Sequence, residues 1–104
     1  MREICLARLD KTRPVLVLTR DVAREAMTKV TVAPITSTVK GLSGEVPLGA
    51  ANGLDDGCAV SIDNVVTIPT TMLGRTIGFL SLDQEQQLAR AVVLAFDLDI
   101  PLLA

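Results

Sequence analysis

Apolar residues in this chain come in short runs bounded by turn-forming residues, and only one stretch, after Ser81, keeps a helical period. That pattern restricts the fold to a small, strand-rich body with a single substantial helix. The strand-like runs are Glu3 to Leu9, Pro14 to Thr19, Lys29 to Ala33, Glu45 to Leu48, Cys58 to Ile62, Val65 to Ile68 and Arg75 to Leu80. Such an order suits a mostly antiparallel barrel or sheet rather than alternating parallel units.

PVLVLT is apolar almost throughout, which predicts burial on both faces. Pro14 and Pro47 are expected at a strand start and on an edge strand, where a missing ladder donor is tolerated. Asp21 is placed as the cap of a short helical turn reaching Met27, and Gly49 to Gly57 as an exposed connection. Asp63-Asn64 divides two strands or bends one. Ser81 followed by Gln84 has capping-box spacing and opens a helix with Leu88, Val92 and Phe96 on one stripe, ended by Asp97 and Pro101. Phe79 and Phe96 are assigned to core-like settings. The apolar ending Leu98 to Ala104 is expected to pack on the body or on a partner chain.

With 104 residues, 49% of them hydrophobic and 21% charged, the sequence is that of one globular domain spanning 1–104. It shows neither a signal peptide nor a membrane span, and the expected location is the cytoplasm. Histidine is absent, which excludes histidine acid-base catalysis, Ser-His-Asp and Cys-His nucleophiles and histidine-held metals. Cys5 and Cys58 lie in strand-like runs with no metal-motif spacing and are expected to be buried, reduced thiols.

The net charge of −2 is unevenly distributed. Residues 1–40 hold eight Lys/Arg against four acids, for +4; residues 41–104 hold two against eight, for −6. A basic face on an acidic body is compatible with a local polyanion site. Two features supply candidate chemistry for one. Arg13 stands at the mouth of the PVLVLT strand, and Thr36, Ser37 and Thr38 stand where another strand gives way to a loop. Guanidinium and hydroxyl at neighbouring strand ends suit a phosphate.

RPVLV at 13–17, VAPITST at 32–38, EVPL at 45–48 and LGRTIGFLS at 73–81 resemble, in order, successive motifs of the MazF/PemK family of toxin endoribonucleases. The resemblance implies an SH3-like barrel, mostly β, of about seven short antiparallel strands with a C-terminal helix. It implies the toxin of a type II toxin-antitoxin system: a cytoplasmic homodimer that inhibits translation and growth by cutting single-stranded RNA at preferred sequences. No metal or other cofactor is implied. The products carry a 2′,3′-cyclic phosphate and a 5′-hydroxyl, and a MazE-like antitoxin blocks the site.

Carried over residue by residue, the resemblance makes Arg13 and Thr36 the catalytic pair. Lys11, Thr12, Arg20, Ser37, Lys40, Asp63 and Asn64 are the candidate substrate-binding residues. Two features depart from the family: only Asp10-Lys11-Thr12 precedes Arg13 where relatives have a longer connection, and Val66 stands where relatives often have Arg. Without Trp or Tyr, little aromatic base stacking is expected. Two rival readings share the barrel: a CcdB-like gyrase poison, whose Trp-containing tail this chain lacks, and a module that binds protein without catalysis.

Overall fold

The computed structural model describes residues 2–99. Seven strands are present: β1 (Glu3–Arg8), β2 (Thr12–Val17), β3 (Lys29–Thr36), β4 (Glu45–Leu48), β5 (Cys58–Ser61), β6 (Val66–Pro69) and β7 (Leu73–Phe79). One helical turn, α1 (Asp21–Arg24), joins β2 to β3, and α2 (Leu82–Ala95) closes the described chain. All pairings are antiparallel, in the order β4-β5-β3-β2-β1-β7, with β6 beside β3. The sheet curls into a half-barrel, so the expected mostly-β architecture with a C-terminal helix is the one found.

β3 organises the sheet. One edge pairs with β2, Val15 opposite Pro34 and Val17 opposite Val32. The other edge is shared: β6 takes Lys29 to Val32, and β5 takes Ile35 and Thr36. β5 and β6 are therefore consecutive segments along one edge, separated by a 3₁₀ turn at Ile62–Asn64. Pro34, which has no N–H to give, falls in the gap between them. That is why the strand runs on to Thr36 instead of ending near Ala33. Pro47 lies on β4, at one end of the sheet order, as its missing donor requires.

The apolar PVLVLT run is buried on both sides. Leu16 joins Ile4, Val46, Val60 and Ile62 in a cluster closed by Leu88 and Ala91 of α2. Val15 and Val17 join Cys5, Val30, Val32 and Ile68 in a second cluster on the opposite face. Arg2 fastens the end of β2 to the helix. Its Nη1 donates to the carbonyls of Val17 and Leu18 at 3.0 and 3.1 Å, and its Nε to Glu85 at 3.2 Å. The helix opens as its sequence predicts, with Ser81 Oγ accepting from the Gln84 amide and Gln84 Oε1 accepting from the Ser81 amide.

Four expectations need correction. Asp21 is the first residue of α1 and not its cap, and the turn ends at Arg24. The connection after Gly49 is not wholly exposed, because Asn52 is 3% exposed and lies in a 3₁₀ turn, Ala50–Asn52. Phe79 and Phe96 are outside the core, at 43% and 51% exposure. Eight residues at about 100° each carry Phe96 about 80° round from Leu88, beyond a stripe centred on Leu88, Ala91, Val92 and Ala95. Cys5 is buried but Cys58 only partly, and both thiols are free. Of the apolar ending, Leu98 is 45% exposed and residues 100–104 lie outside the described residues.

Candidate active-site groove

Because β2 and β3 run antiparallel, the start of one lies beside the end of the other. The last ladder pair there is Val15 with Pro34. Arg13 and Thr36 each lie two residues beyond that pair on their own strands. Arg13 shares a face of β2 with Val15, and Thr36 shares a face of β3 with Val32 and Pro34, so guanidinium and hydroxyl stand on one side of the sheet.

Arg13 is not loose. Its Nε donates to Asp10 Oδ1 at 2.8 Å and its Nη2 to Asp10 Oδ2 at 2.9 Å, across the hairpin that pairs Arg8 with Thr12. The guanidinium in turn holds the Asp10 carboxyl well below the usual carboxylate range. Two of five donors are engaged, leaving the Nη1 side free for an anion. Asp10 is not among the sequence-derived site residues; its three-residue spacing from Arg13 across a tight turn is the signal that points to it.

Thr36 opens onto a groove of about 390 Å³ whose walls are Pro34, Thr36 and Thr38, then Lys40, Leu42 and Glu45, then Ser61 and Asn64. Thr36 Oγ1 accepts from the Thr38 amide at 3.0 Å, which turns the chain sharply away from the sheet. Asn64 is placed at the lip by the 62–64 turn and donates from Nδ2 to the buried Ser61 hydroxyl at 2.7 Å. Asp63 is exposed on the same turn, its carboxylate close against Gly44.

The sequence-derived candidates thus divide. Thr36, Lys40 and Asn64 share the groove. Arg13, Lys11 and Thr12 stand at the adjoining hairpin, Ser37 is exposed just past β3, and Asp63 lies on the turn beside Asn64. Thr12 also lines a separate groove with Arg8 and Arg75. Arg20 stands apart, beyond the far end of β2 and on the order of 20 Å from Arg13 at about 3.3 Å per residue. The basic half of the sequence is split in the same way. Arg2 and Arg24 pair with Glu85 and Glu3 at that far end, leaving Arg8, Lys11, Arg13 and Lys40 nearer the groove.

Neither phenylalanine lines the groove; Phe79 sits in another, beside Asn52 and Gly78. The Cys5 thiol is buried, which pushes its pKa up and disfavours the thiolate, and its Sγ contacts Glu3. Among the described residues, no group of three or more His, Cys, Asp or Glu is arranged to hold a metal ion.

Residues 3–96 match the family described as PemK-like, MazF-like toxin of type II toxin-antitoxin system. The chain belongs to that family. This MazF-like chain is 59% identical over 99 residues to endoribonuclease MazF3 of Mycobacterium tuberculosis, covering 95% of this chain and 96% of the relative. The structure of the Mycobacterium tuberculosis toxin MazF-mt6 superposes with a TM-score of 0.92 at 57% identity, over 95% of this chain and all of that one. A mycobacterial endoribonuclease solved in complex with its cognate antitoxin has the same fold, with a TM-score of 0.85 at 20% identity over 95% of each chain.

Proposed function

We propose that this MazF-like toxin is an endoribonuclease that cuts single-stranded RNA without a metal, using the RNA's own 2′-hydroxyl as nucleophile. The observation that carries the activity is the 59% identity to an endoribonuclease along nearly the full length of both chains. Support for the chemistry comes from Arg13 and Thr36 lying at neighbouring ends of β2 and β3, with Thr36 lining a groove that also holds Lys40 and Asn64.

In the reaction the 2′-hydroxyl gives its proton to water as its oxygen bonds to phosphorus, the bond from phosphorus to the 5′-oxygen breaks, and that oxygen takes a proton back from water. The products are a 2′,3′-cyclic phosphate and a 5′-hydroxyl. Arg13 supplies fixed positive charge to the nonbridging oxygens as charge grows there, and Thr36 adds a neutral hydrogen bond. Asp10 is a weak proton acceptor, because its folded-state pKa is depressed by Arg13. Its part is to aim the guanidinium. Its stabilisation of the hairpin is complete above the unfolded carboxyl pKa and is lost only as pH falls through the lower folded value.

Asp10→Asn removes one charge and one acceptor while keeping the shape. It is expected to lower kcat about tenfold, by letting the fork wander from its productive angle. An unchanged kcat would remove the aiming role.

The decisive experiment is incubation of the purified protein with a long unstructured RNA in excess chelator, followed by mapping of the ends. Cuts bearing cyclic phosphates are expected. Intact RNA together with gyrase inhibition would replace this reading with the gyrase poison, and intact RNA alone with the binding module.

The toxin is read as acting in the cytoplasm as a homodimer, blocked by an antitoxin of the MazE type. The MazE-MazF complex from Deinococcus radiodurans, which shares the fold, and the antitoxin complex above support a protein partner. No helix among the described residues is long and apolar enough to cross a membrane. Light scattering tests the dimer: a single 11.0 kDa species at micromolar concentration would contradict it.

A further inference from the structure

The loop from Ser37 to Gly44 has no regular structure and its side chains are exposed, yet it forms one wall of the groove. Its conformation is set from one point. Glu45 is the first residue of β4, where pairing with Ser61 of β5 fixes its backbone. From there its carboxylate reaches back along the loop. Oε2 accepts from the Lys40 amide at 3.1 Å, and Oε1 accepts from the Leu42 amide at 2.9 Å. The Glu45 amide returns a bond to the Leu42 carbonyl at 3.1 Å. Below it, the Ile62 amide donates to the Gly44 carbonyl at 2.9 Å. An eight-residue loop would otherwise sample many conformations, and holding it open over the groove carries an entropic cost that these bonds offset.

We propose that Glu45 is a positioning residue of the ribonuclease site: by gripping the Lys40 and Leu42 amides, it holds the Lys40 ammonium over the groove beside Thr36, to meet an RNA phosphate. The inference rests on the ribonuclease reading above and adds to it a residue that acts through Lys40 and not on the reacting atoms. The carboxylate is suited to the task because it accepts two amides at once from oxygens of equal charge. Those amides also lower its pKa, so the grip persists at neutral pH. An amide side chain offers one oxygen only.

The test uses the full chain and a short RNA oligonucleotide centred on a cleavage site mapped as above, with kcat and KM measured across a series of salt concentrations. Glu45→Ala and Lys40→Ala are each expected to raise KM about tenfold while kcat moves less than threefold. Both should flatten the dependence of log KM on log salt by about 0.7, the loss of one phosphate contact on a single strand. The double variant should be no worse than Lys40→Ala alone, since one residue acts through the other. Glu45→Gln, which keeps one acceptor, should fall between the parent and Glu45→Ala.

A merely structural role would lower the active fraction, reducing kcat with KM and the salt slope unchanged; that result overturns the inference. So do additive effects in the double variant. Should Glu45→Ala fail to fold, Glu45→Gln with parental KM and salt slope overturns it equally. RNA left uncut by the parent removes the ribonuclease reading itself, whereas a cutting parent with an indifferent Glu45→Gln removes this inference alone.

Discussion

Arg13→Ala is expected to fold like the parent and to lose at least 100- to 1,000-fold in RNA cleavage, the scale on which a lost transition-state donor is felt. The two halves of that expectation have separate causes. Arg13 is partly exposed, its ionic partner Asp10 more so, and pairs open to solvent contribute little to stability. The melting temperature should therefore stay within a few degrees of the parent. In the reaction, by contrast, no histidine is available to share the work, and the guanidinium supplies charge at the end of β2 next to the Thr36 end of β3. Arg13→Lys is expected to recover little, because an ammonium keeps the charge but cannot hold Asp10 side-on and present a second planar edge to phosphate. Thr36→Val, which removes one neutral donor, should cost less than Arg13→Ala. Single-turnover cleavage of one mapped RNA measures all three. A normally folded Arg13→Ala cutting at the parental rate would end the mechanism.

What the sequence reveals of this molecule depends on how far apart the interacting residues are. Strand runs, the edge proline Pro47 and the Ser81–Gln84 cap are written within a few residues of each other, and each is where its local chemistry puts it. Arg13 and Thr36 were legible as a pair only through the resemblance, for nothing in their own neighbourhoods distinguishes them from surface residues. Arg20 shows the opposite error. It is close to Arg13 in sequence, but an intervening extended strand turns seven residues into two ends of the fold. For the aromatic side chains hydrophobicity does not settle burial. The helix presents only about a third of its circumference to the sheet, and Phe96 lies beyond it. In the sequence Glu45 is simply part of a strand, since its grip on Lys40 and Leu42 belongs to the turn of the loop and not to the pattern of β4.

The largest effect on stability should come from a place the sequence presents as an ordinary loop. Asn52 is buried with its amide Nδ2 donating to the Phe79 carbonyl at 2.9 Å and to Gln84 Oε1 at 2.7 Å, while its Oδ1 accepts from Gly49 N at 3.1 Å and Gln84 Nε2 at 3.0 Å. These bonds draw the 50–52 turn onto β7 and the start of α2 so closely that two backbones touch. A Cβ added at Gly78 would lie 1.8 Å from the Asn52 carbonyl oxygen, and one at Gly53 would lie 2.1 Å from that of Ile77. Neither obstacle is a side chain that can swing away. Gly78→Ala must part the turn from the strand, straining the buried amide network and the pairing of Gly78 with Ile4. A loss of roughly 3 kcal/mol or more is expected, seen as a melting temperature lowered by about 12 °C or more in a domain of this size. Gly57→Ala is the control, because its Cβ would meet nothing within 4 Å and only its backbone, at φ +82°, is unfavourable. That conformation alone costs about 1–2 kcal/mol. Thermal melts of the two variants separate steric closeness from backbone strain, and a Gly78→Ala protein as stable as the parent would show that the turn does not press on β7 in solution.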